Sequence, residues 1–228
     1  MRALTRAIAR VTGASVVALT LIAPAEAATI TVDSTNLQSI PGLTGFTTDG
    51  SMMSGMTVSV HFASGSSETQ IWETTGPGTG GVSGSGWSLT LTGDSFVSDW
   101  IFNSDAGLLT RLVLDGSTGL TVFDKSQPEP GTNGSASGRD FGSNLAGDAL
   151  ITATYSNPVR IGGSAAVGDL FQIVDVDFTG VGDGGVAGRF TFRQDTDNDL
   201  RLVPVPEPST LVLFGIGLVG TIRARRRG

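Results

Sequence analysis

The sequence predicts an all-β protein whose main domain is an antiparallel β-sandwich of jelly-roll type. Glycine makes up 33 of the 228 residues and only 15% of the residues are charged, which favours short strands joined by tight turns. Between residues 28 and 203, apolar and polar residues alternate in many short stretches, and none shows a sustained helical period. A chain of this length can form one such domain with a buried core.

The first 27 residues have the composition of a signal peptide. Residues 1–10 contain three arginines and no acid, and residues 11–23 are apolar but short for a membrane span of ~20 residues. Small residues then occupy the two positions that signal peptidase reads, Ala25 and Ala27. We therefore expect a helix in this leader, cleavage between Ala27 and Ala28, and a mature domain over residues 28–203.

The first clear strand of this domain is residues 56–62, in which every second residue is apolar. Residues 68–73 form its expected hairpin partner across a short polar loop at 64–67. The glycine-rich stretch 76–86 is predicted to be a loop, and it leads into another alternating strand at residues 87–92.

Three further strands are expected at residues 100–102, 108–114 and 120–123. The polar, glycine-containing segments 105–107 and 115–119 are expected to be the turns that separate them.

A polar stretch from Lys125 to Asn144 is predicted to be a long loop across one end of the sandwich, although a linker between two domains is the alternative. Residues 149–155 and 158–161 then read as two short strands.

The clearest predicted hairpin joins residues 170–178 to residues 189–193 through the glycine-rich turn 180–185. In this register Asp175 and Asp177 would lie on the same face as Arg189 and Arg193. Such exposed pairs contribute roughly 0.2–1 kcal/mol each, which favours one register without carrying the fold.

Residues suited to catalysis are few. There is no cysteine, so disulfides and thiolate sites are excluded, and the single histidine, His61, lies on the polar face of its strand without a serine-nucleophile motif. Asp175 and Asp177 have a spacing that a pair of glycosidase carboxylates could use, but arginines are expected opposite them. We expect no enzymatic activity.

One segment has the spacing of a calcium loop. Asp195, Asp197 and Asp199 occupy the first, third and fifth positions, where carboxylates can converge on a hard cation. Leu200 stands where an EF-hand has glycine, and Pro206 stands where it has a bidentate glutamate. A solvated acidic turn is therefore the default expectation, and calcium is the alternative; no other cofactor is indicated.

The three tryptophans, Trp72, Trp87 and Trp100, each lie in a strand-like stretch. Burial in the core is the expected use of these side chains. An exposed ring that stacks on a sugar is the alternative.

The charge of the mature domain argues against nucleic acid as a partner. Residues 28–203 contain 19 acidic and seven basic residues, because the other seven bases lie in the two end segments. A surface this acidic repels phosphate backbones.

The last 25 residues have three parts in a fixed order. A proline-bracketed acid, Pro206-Glu207-Pro208, precedes an apolar run over residues 209–222. That run is short for a membrane span of ~20 residues, so a short transmembrane helix and temporary anchoring are expected. Four arginines follow it and are expected to stay cytoplasmic: Arg223, Arg225, Arg226 and Arg227.

This tail resembles the PEP-CTERM sorting signal of Gram-negative bacteria. The resemblance implies recognition and removal of residues 204–228 by an exosortase, after transient anchoring in the inner membrane with the domain facing the periplasm. It also implies delivery to the cell surface or the extracellular matrix. The internal Pro128-Glu129-Pro130 lacks an apolar run and arginines, so we expect no processing there.

The sequence therefore favours an exported structural protein of the surface, exopolysaccharide or biofilm matrix, with signal peptidase and exosortase as its processing partners. The alternative is a carbohydrate-binding module of the exopolysaccharide, with or without calcium. The least favoured function is a glycan hydrolase or lyase that uses Asp175 and Asp177.

Overall fold

The computed structural model describes residues 27–40, 43, 46–126, 137–162 and 168–198. The predicted signal helix, the sorting tail with its predicted transmembrane helix, and the Pro128-Glu129-Pro130 control lie outside these residues. Within the described ranges, no helix has both the length and the apolar character that a membrane span requires.

The described residues form an all-β structure, as predicted, with three single turns of 3-10 helix at Gly50–Met52, Ser117–Gly119 and Asp148–Leu150. In chain order the strands are β1 (Thr29–Val32), β2 (Gln38–Ile40), β3 (Thr57–Phe62), β4 (Ser67–Ile71), β5 (Glu73–Gly76), β6 (Thr79–Gly84), β7 (Trp87–Thr92), β8 (Trp100–Asp115), β9 (Thr121–Asp124), β10 (Gly142–Ser143), β11 (Thr152–Ile161), β12 (Leu170–Asp177), β13 (Val186–Arg193) and β14 (Asp195–Asn198).

The sheet is organised around β8, a strand of 16 residues. Its first half pairs with β7 on one side and β13 on the other, and its second half pairs with β3 and β12. The predicted turn at residues 105–107 is therefore wrong. These residues are an exposed irregularity within one strand, where Gly107 adopts a φ of 118° and the register with β3 and β13 shifts.

All 14 strands belong to one branched sheet whose longest path runs β1-β11-β12-β8-β7-β6-β5. Both β1 and β2 pair with β11 in parallel, so the sheet is mixed and not purely antiparallel as predicted. Strand β11 is also one strand where two were expected. The order of the strands does not establish a jelly roll, and that part of the prediction stays a prediction.

The predicted hairpin between residues 170–178 and 189–193 is wrong. Both segments are strands, β12 and β13, but each pairs with a different half of β8. In contrast, the predicted hairpin of β3 and β4 is confirmed, with Thr57 opposite Ile71. The alternation of apolar and polar residues predicts the strands in both cases. The pairing of β12 and β13, in contrast, depends on the long central strand β8.

The glycine-rich stretch that was predicted to be a loop forms the β5–β6 hairpin instead. Gly80 packs so closely against the backbone of Gly50 that a Cβ at position 80 would lie 1.8 Å from the Gly50 carbonyl oxygen. Glycine is therefore required here because the 3-10 turn at Gly50–Met52 lies directly on β6.

Side chains from both halves of the sheet meet in one hydrophobic core. The rings of Trp72 and Trp100 lie 5.2 Å apart between centroids, and Phe178, which follows β12, lies 5.4 Å from Phe190 of β13. A second, smaller cluster comprises Leu43, Val122, Val159 and Leu170. The buried apolar residues therefore fall into one main cluster and one smaller cluster.

The prediction that the tryptophans are core residues is confirmed. Trp72 and Trp100 are fully buried and Trp87 is 4% exposed. Their indole N–H groups donate to Gly50 O, Gln194 O and Glu68 Oε2 at 2.8, 3.0 and 2.8 Å, respectively. Trp72 and Trp100 therefore have no ring face free to stack on a sugar, whereas Trp87 lines a surface depression.

Candidate functional site

The candidate calcium segment is a buried strand, so the expectation of a solvated acidic turn is wrong. Strand β14 pairs antiparallel with β9, with Asp195 opposite Asp124 and Asp197 opposite Val122. Asp195 is 4% exposed and Asp197 is fully buried. The third carboxylate of the predicted set, Asp199, lies outside the described residues.

The Asp195 carboxylate accepts hydrogen bonds from Ser95 Oγ at 3.0 Å and from its neighbour Thr196 N at 2.8 Å. Burial raises the pKa of Asp195 to about 6 because desolvation disfavours the charged form, and the negative charge of Asp94 acts in the same direction. The two hydrogen bonds and Arg139 oppose this rise. The Asp195 carboxyl therefore binds its proton at a higher pH than an ordinary aspartate does.

A buried polar network continues from β14 towards the core. The Tyr155 hydroxyl donates to Gln194 Oε1 and accepts from Phe141 N at 2.7 Å. The Gln194 amide in turn donates to Arg139 O at 3.1 Å. Burial raises the pKa of Tyr155, so this phenol stays protonated and serves as a structural donor.

Metal binding by this segment stays a prediction. Among residues 27–198 as far as they are described, no three His, Cys, Asp or Glu side chains come together in a way that could hold a metal ion. Asp195 and Asp197 are alternate residues of β14, but Asp195 Oδ1 already accepts two hydrogen bonds.

The other candidate catalytic residues occupy ordinary surface positions. Asp175 forms an ion pair with Arg111 of β8, with Arg111 Nε 2.7 Å from Asp175 Oδ1, whereas Asp177 accepts from Thr179 N at 2.7 Å. Ion pairing of Asp175 is thus confirmed, but the predicted partners on β13 are wrong.

Arg193 of β13 pairs with Asp99 at 2.6 Å instead. His61 is half-buried and lies opposite Ser67 and Arg111 in the register, neither of which could orient it as a general base.

An open groove that the sequence does not predict lies on the outward face of the sheet. Ser88, Asn103 and Arg189 are cross-strand neighbours on β7, β8 and β13, and they line a depression of about 560 Å³. Asp105 lies at its edge. A second depression of about 320 Å³ between β4, β5, β6 and β7 shares Ser88, so the two are contiguous.

The groove is lined by both polar and apolar atoms. The second depression adds Gln70, Glu73 and Thr90 to the side chains already named, together with the exposed Ile71. These residues alternate with core residues along their strands. Only the pairing of β7, β8 and β13 brings them into one row, and that pairing is what the sequence could not supply.

The structure describes the predicted N-terminal cleavage site but not the C-terminal sorting segment. Ala27 is exposed and Ala28 is 9% exposed. The sorting residues Pro206, Glu207 and Pro208, and the cytoplasmic residues Arg223, Arg225, Arg226 and Arg227, lie outside the described residues.

Comparison with known proteins identifies the C-terminal segment. Residues 204–227 match the family model described as the PEP-CTERM protein-sorting motif. No curated protein and no solved structure matches the chain. The motif implies export, membrane-anchored sorting by an exosortase and delivery to the surface, and in this chain it follows the β-domain.

Proposed function

We propose that this protein is a non-catalytic structural component of the cell surface or of the extracellular polysaccharide and biofilm matrix, released from its membrane anchor by exosortase. The match of residues 204–227 to the sorting motif carries the proposal. The leader at residues 1–27 has the composition that export requires. The buried tryptophans and the ion-paired Asp175 support a structural role for the domain.

Mass spectrometry of the mature termini, in cells with and without an exosortase, tests this proposal. We expect a new C-terminus near Pro206-Glu207-Pro208 in normal cells and an intact tail ending in Arg227-Gly228 in cells that lack the enzyme. The chain offers a matched control, because Glu129 repeats the proline-bracketed acid inside the domain. Glu207→Ala should reduce processing, whereas Glu129→Ala should leave it unchanged.

An intact Arg227 tail in cells with an active exosortase would contradict the proposal. Equal processing of the Glu207→Ala protein and the unaltered protein would show that the enzyme does not read this motif. Turnover of a polysaccharide that Asp175→Asn abolishes would overturn the non-catalytic part of the proposal.

The groove favours carbohydrate binding as a second candidate function. Its two contiguous depressions cross β4 to β8 and β13, a path suited to an extended ligand. The amide of Asn103 and the guanidinium of Arg189 lie side by side in the register, and planar groups of this kind can bond to adjacent sugar hydroxyls. Trp72 and Trp100 are fully buried and Trp87 is only 4% exposed, so recognition would rest mainly on hydrogen bonds.

Glycan-array binding by the exported protein tests this second function. We expect Asn103→Ala and Arg189→Ala to reduce binding at least about 5-fold, given that each removes hydrogen bonds to the ligand. Arg160→Ala is the matched control because Arg160 is exposed on β11, away from the groove. Binding that survives EDTA would exclude a calcium-dependent mode, and no binding to any glycan would overturn this candidate.

A further inference from the structure

The domain becomes ordered immediately after the predicted cleavage point. Ala27 is exposed, but Ala28 is 9% exposed and belongs to the main hydrophobic core. Thr29 begins β1, and its N–H donates to Ile151 O at 2.9 Å, next to the first parallel pair with β11. A new N-terminus at residue 28 would therefore leave β1 intact, whereas a terminus further along the chain would remove residues of β1.

A carboxylate faces the nitrogen of this residue. Ala28 N lies 3.0 Å from Asp148 Oδ2 across 120 residues of sequence. The other oxygen, Asp148 Oδ1, accepts from Ser143 N at 3.1 Å and Ser143 Oγ at 2.5 Å. Ser143 thus fixes the orientation of the half-buried carboxylate, and Oδ2 is directed at the chain nitrogen.

Signal-peptide cleavage changes the chemistry of that nitrogen. Hydrolysis breaks the C–N bond between Ala27 and Ala28: the oxygen of water goes to the Ala27 carbonyl, which becomes a carboxylate, and Ala28 retains an amine. An α-amine with a pKa of about 8 takes up a proton at neutral pH. The neutral N–H donor at Ala28 becomes an ammonium group with three N–H donors.

We propose that Asp148 is the binding site for the mature N-terminus, so that removal of the leader after Ala27 creates an ammonium–carboxylate pair that fastens β1 to the domain. Before cleavage only the acceptor of this hydrogen bond is charged, whereas after cleavage both donor and acceptor are, so a Coulombic attraction is added at the same two atoms. The inference rests on the proposed export and leader removal. It requires cleavage after Ala27, because cleavage after Ala25 would leave the charge two residues before Ala28, the residue that contacts Asp148.

A chemical double-mutant cycle on the full-length chain, expressed with its leader, tests this inference. The unaltered chain loses its leader, whereas Ala27→Leu retains it because this substitution replaces a small residue that signal peptidase reads. Position 148 is either Asp or Asn, and Asn keeps an oxygen for Ser143. We expect Asp148→Asn to lower the thermal midpoint of protease resistance by about 3–8 °C in the processed protein and by less than half as much in the unprocessed one.

Asp183→Asn is the matched control, since Asp183 is exposed in the turn between β12 and β13, and it should shift neither midpoint. A second measurement needs no substitution. We expect acylation of the Ala28 α-amine to be at least about 5-fold slower in the native processed protein than in the same protein unfolded in denaturant, because an ammonium group bound to a carboxylate is held in its unreactive form.

The outcomes separate this inference from the proposed function. N-terminal sequencing that finds an intact leader would overturn both. A mature N-terminus other than Ala28, equal effects of Asp148→Asn in the two leader states, or equal acylation rates in native and unfolded protein would overturn the role of Asp148 and leave export in place.

Discussion

The three aspartates Asp175, Asp195 and Asp148 show how the surroundings of one residue type decide its use. Asp175 lies near the surface and pairs with Arg111, an arrangement worth about 0–1 kcal/mol. Asp195 is buried among donors that only partly compensate for lost hydration. Asp148 is half-buried and directed at the chain nitrogen of Ala28. All three depend on contacts that are remote in sequence.

Asp195 should make the domain less stable as the pH rises from 4 to 7. The pKa of Asp195 is about 6 in the folded protein against an ordinary value of 3.8, so the unfolded chain releases this proton at lower pH. The stability of the neutral form is fully present below about pH 4 and is lost as the pH passes the folded pKa of about 6, a change of about 2–3 kcal/mol. Urea unfolding of the unaltered protein and of Asp195→Asn across this range measures the effect.

The difference in unfolding free energy between these two proteins should grow with pH in favour of Asp195→Asn. Asp183→Asn, at an exposed turn position, should follow the curve of the unaltered protein. Parallel curves for all three proteins would show that Asp195 does not titrate between pH 4 and 7.

At the scale of secondary-structure elements, the contact between β6 and the 3-10 turn at Gly50–Met52 should tolerate no added side chain. Alanine at position 80 would bring Cβ to 1.8 Å from Gly50 O and 2.3 Å from Trp72 Nε1, and it would disturb the hydrogen bond between those two atoms. We expect Gly80→Ala to destabilise the domain by at least about 2 kcal/mol.

Thermal or urea unfolding measures this effect. Gly76→Ala is the control in the same hairpin, because its Cβ would meet nothing within 4 Å. It should change the unfolding free energy by less than about 1 kcal/mol. Similar losses for both substitutions would mean that glycine is not needed for close packing at position 80.

The same elements show what the sequence could predict and what it could not. Alternation identified β3, β7, β12 and β13, because it reflects one buried and one exposed face and does not depend on the partner. The sequence did not predict which strands β12 and β13 pair with, since alternation shows which face of a strand is buried but not which strand lies beside it. Residues 76–86 were missed because close backbone packing, which requires glycine, leaves no apolar alternation in the sequence.

The same distinction between local pattern and long-range pairing applies to the candidate sites. The aspartates of the calcium segment were identified by spacing, but their burial was not, since nothing in residues 195–199 has the apolar character of a core strand. The groove formed around Ser88, Asn103 and Arg189 joins three strands that are far apart in sequence. Only the sorting motif, which is read as a continuous segment, could be assigned from sequence alone.

At the scale of the whole molecule, processing at both ends should make the protein more acidic. The full chain has a net charge of −7, whereas residues 28–203 contain 19 acidic and seven basic residues, which gives −12. We expect the processed protein to elute from an anion exchanger at higher salt than the full-length chain, and to show no retention by double-stranded DNA at physiological ionic strength. Earlier elution, or retention by DNA, would contradict this charge distribution.

The pairing of β1 with β11 also bears on the order in which the chain folds during export. Thr29 and Thr152 are partners in the sheet, and so are Val32 and Tyr155. The strand that follows the leader therefore has no partner until more than half of the chain has crossed the membrane. For the exported chain we therefore expect the pairing of β1 with β11 to be a late step of folding, because these two strands are more than 100 residues apart in sequence.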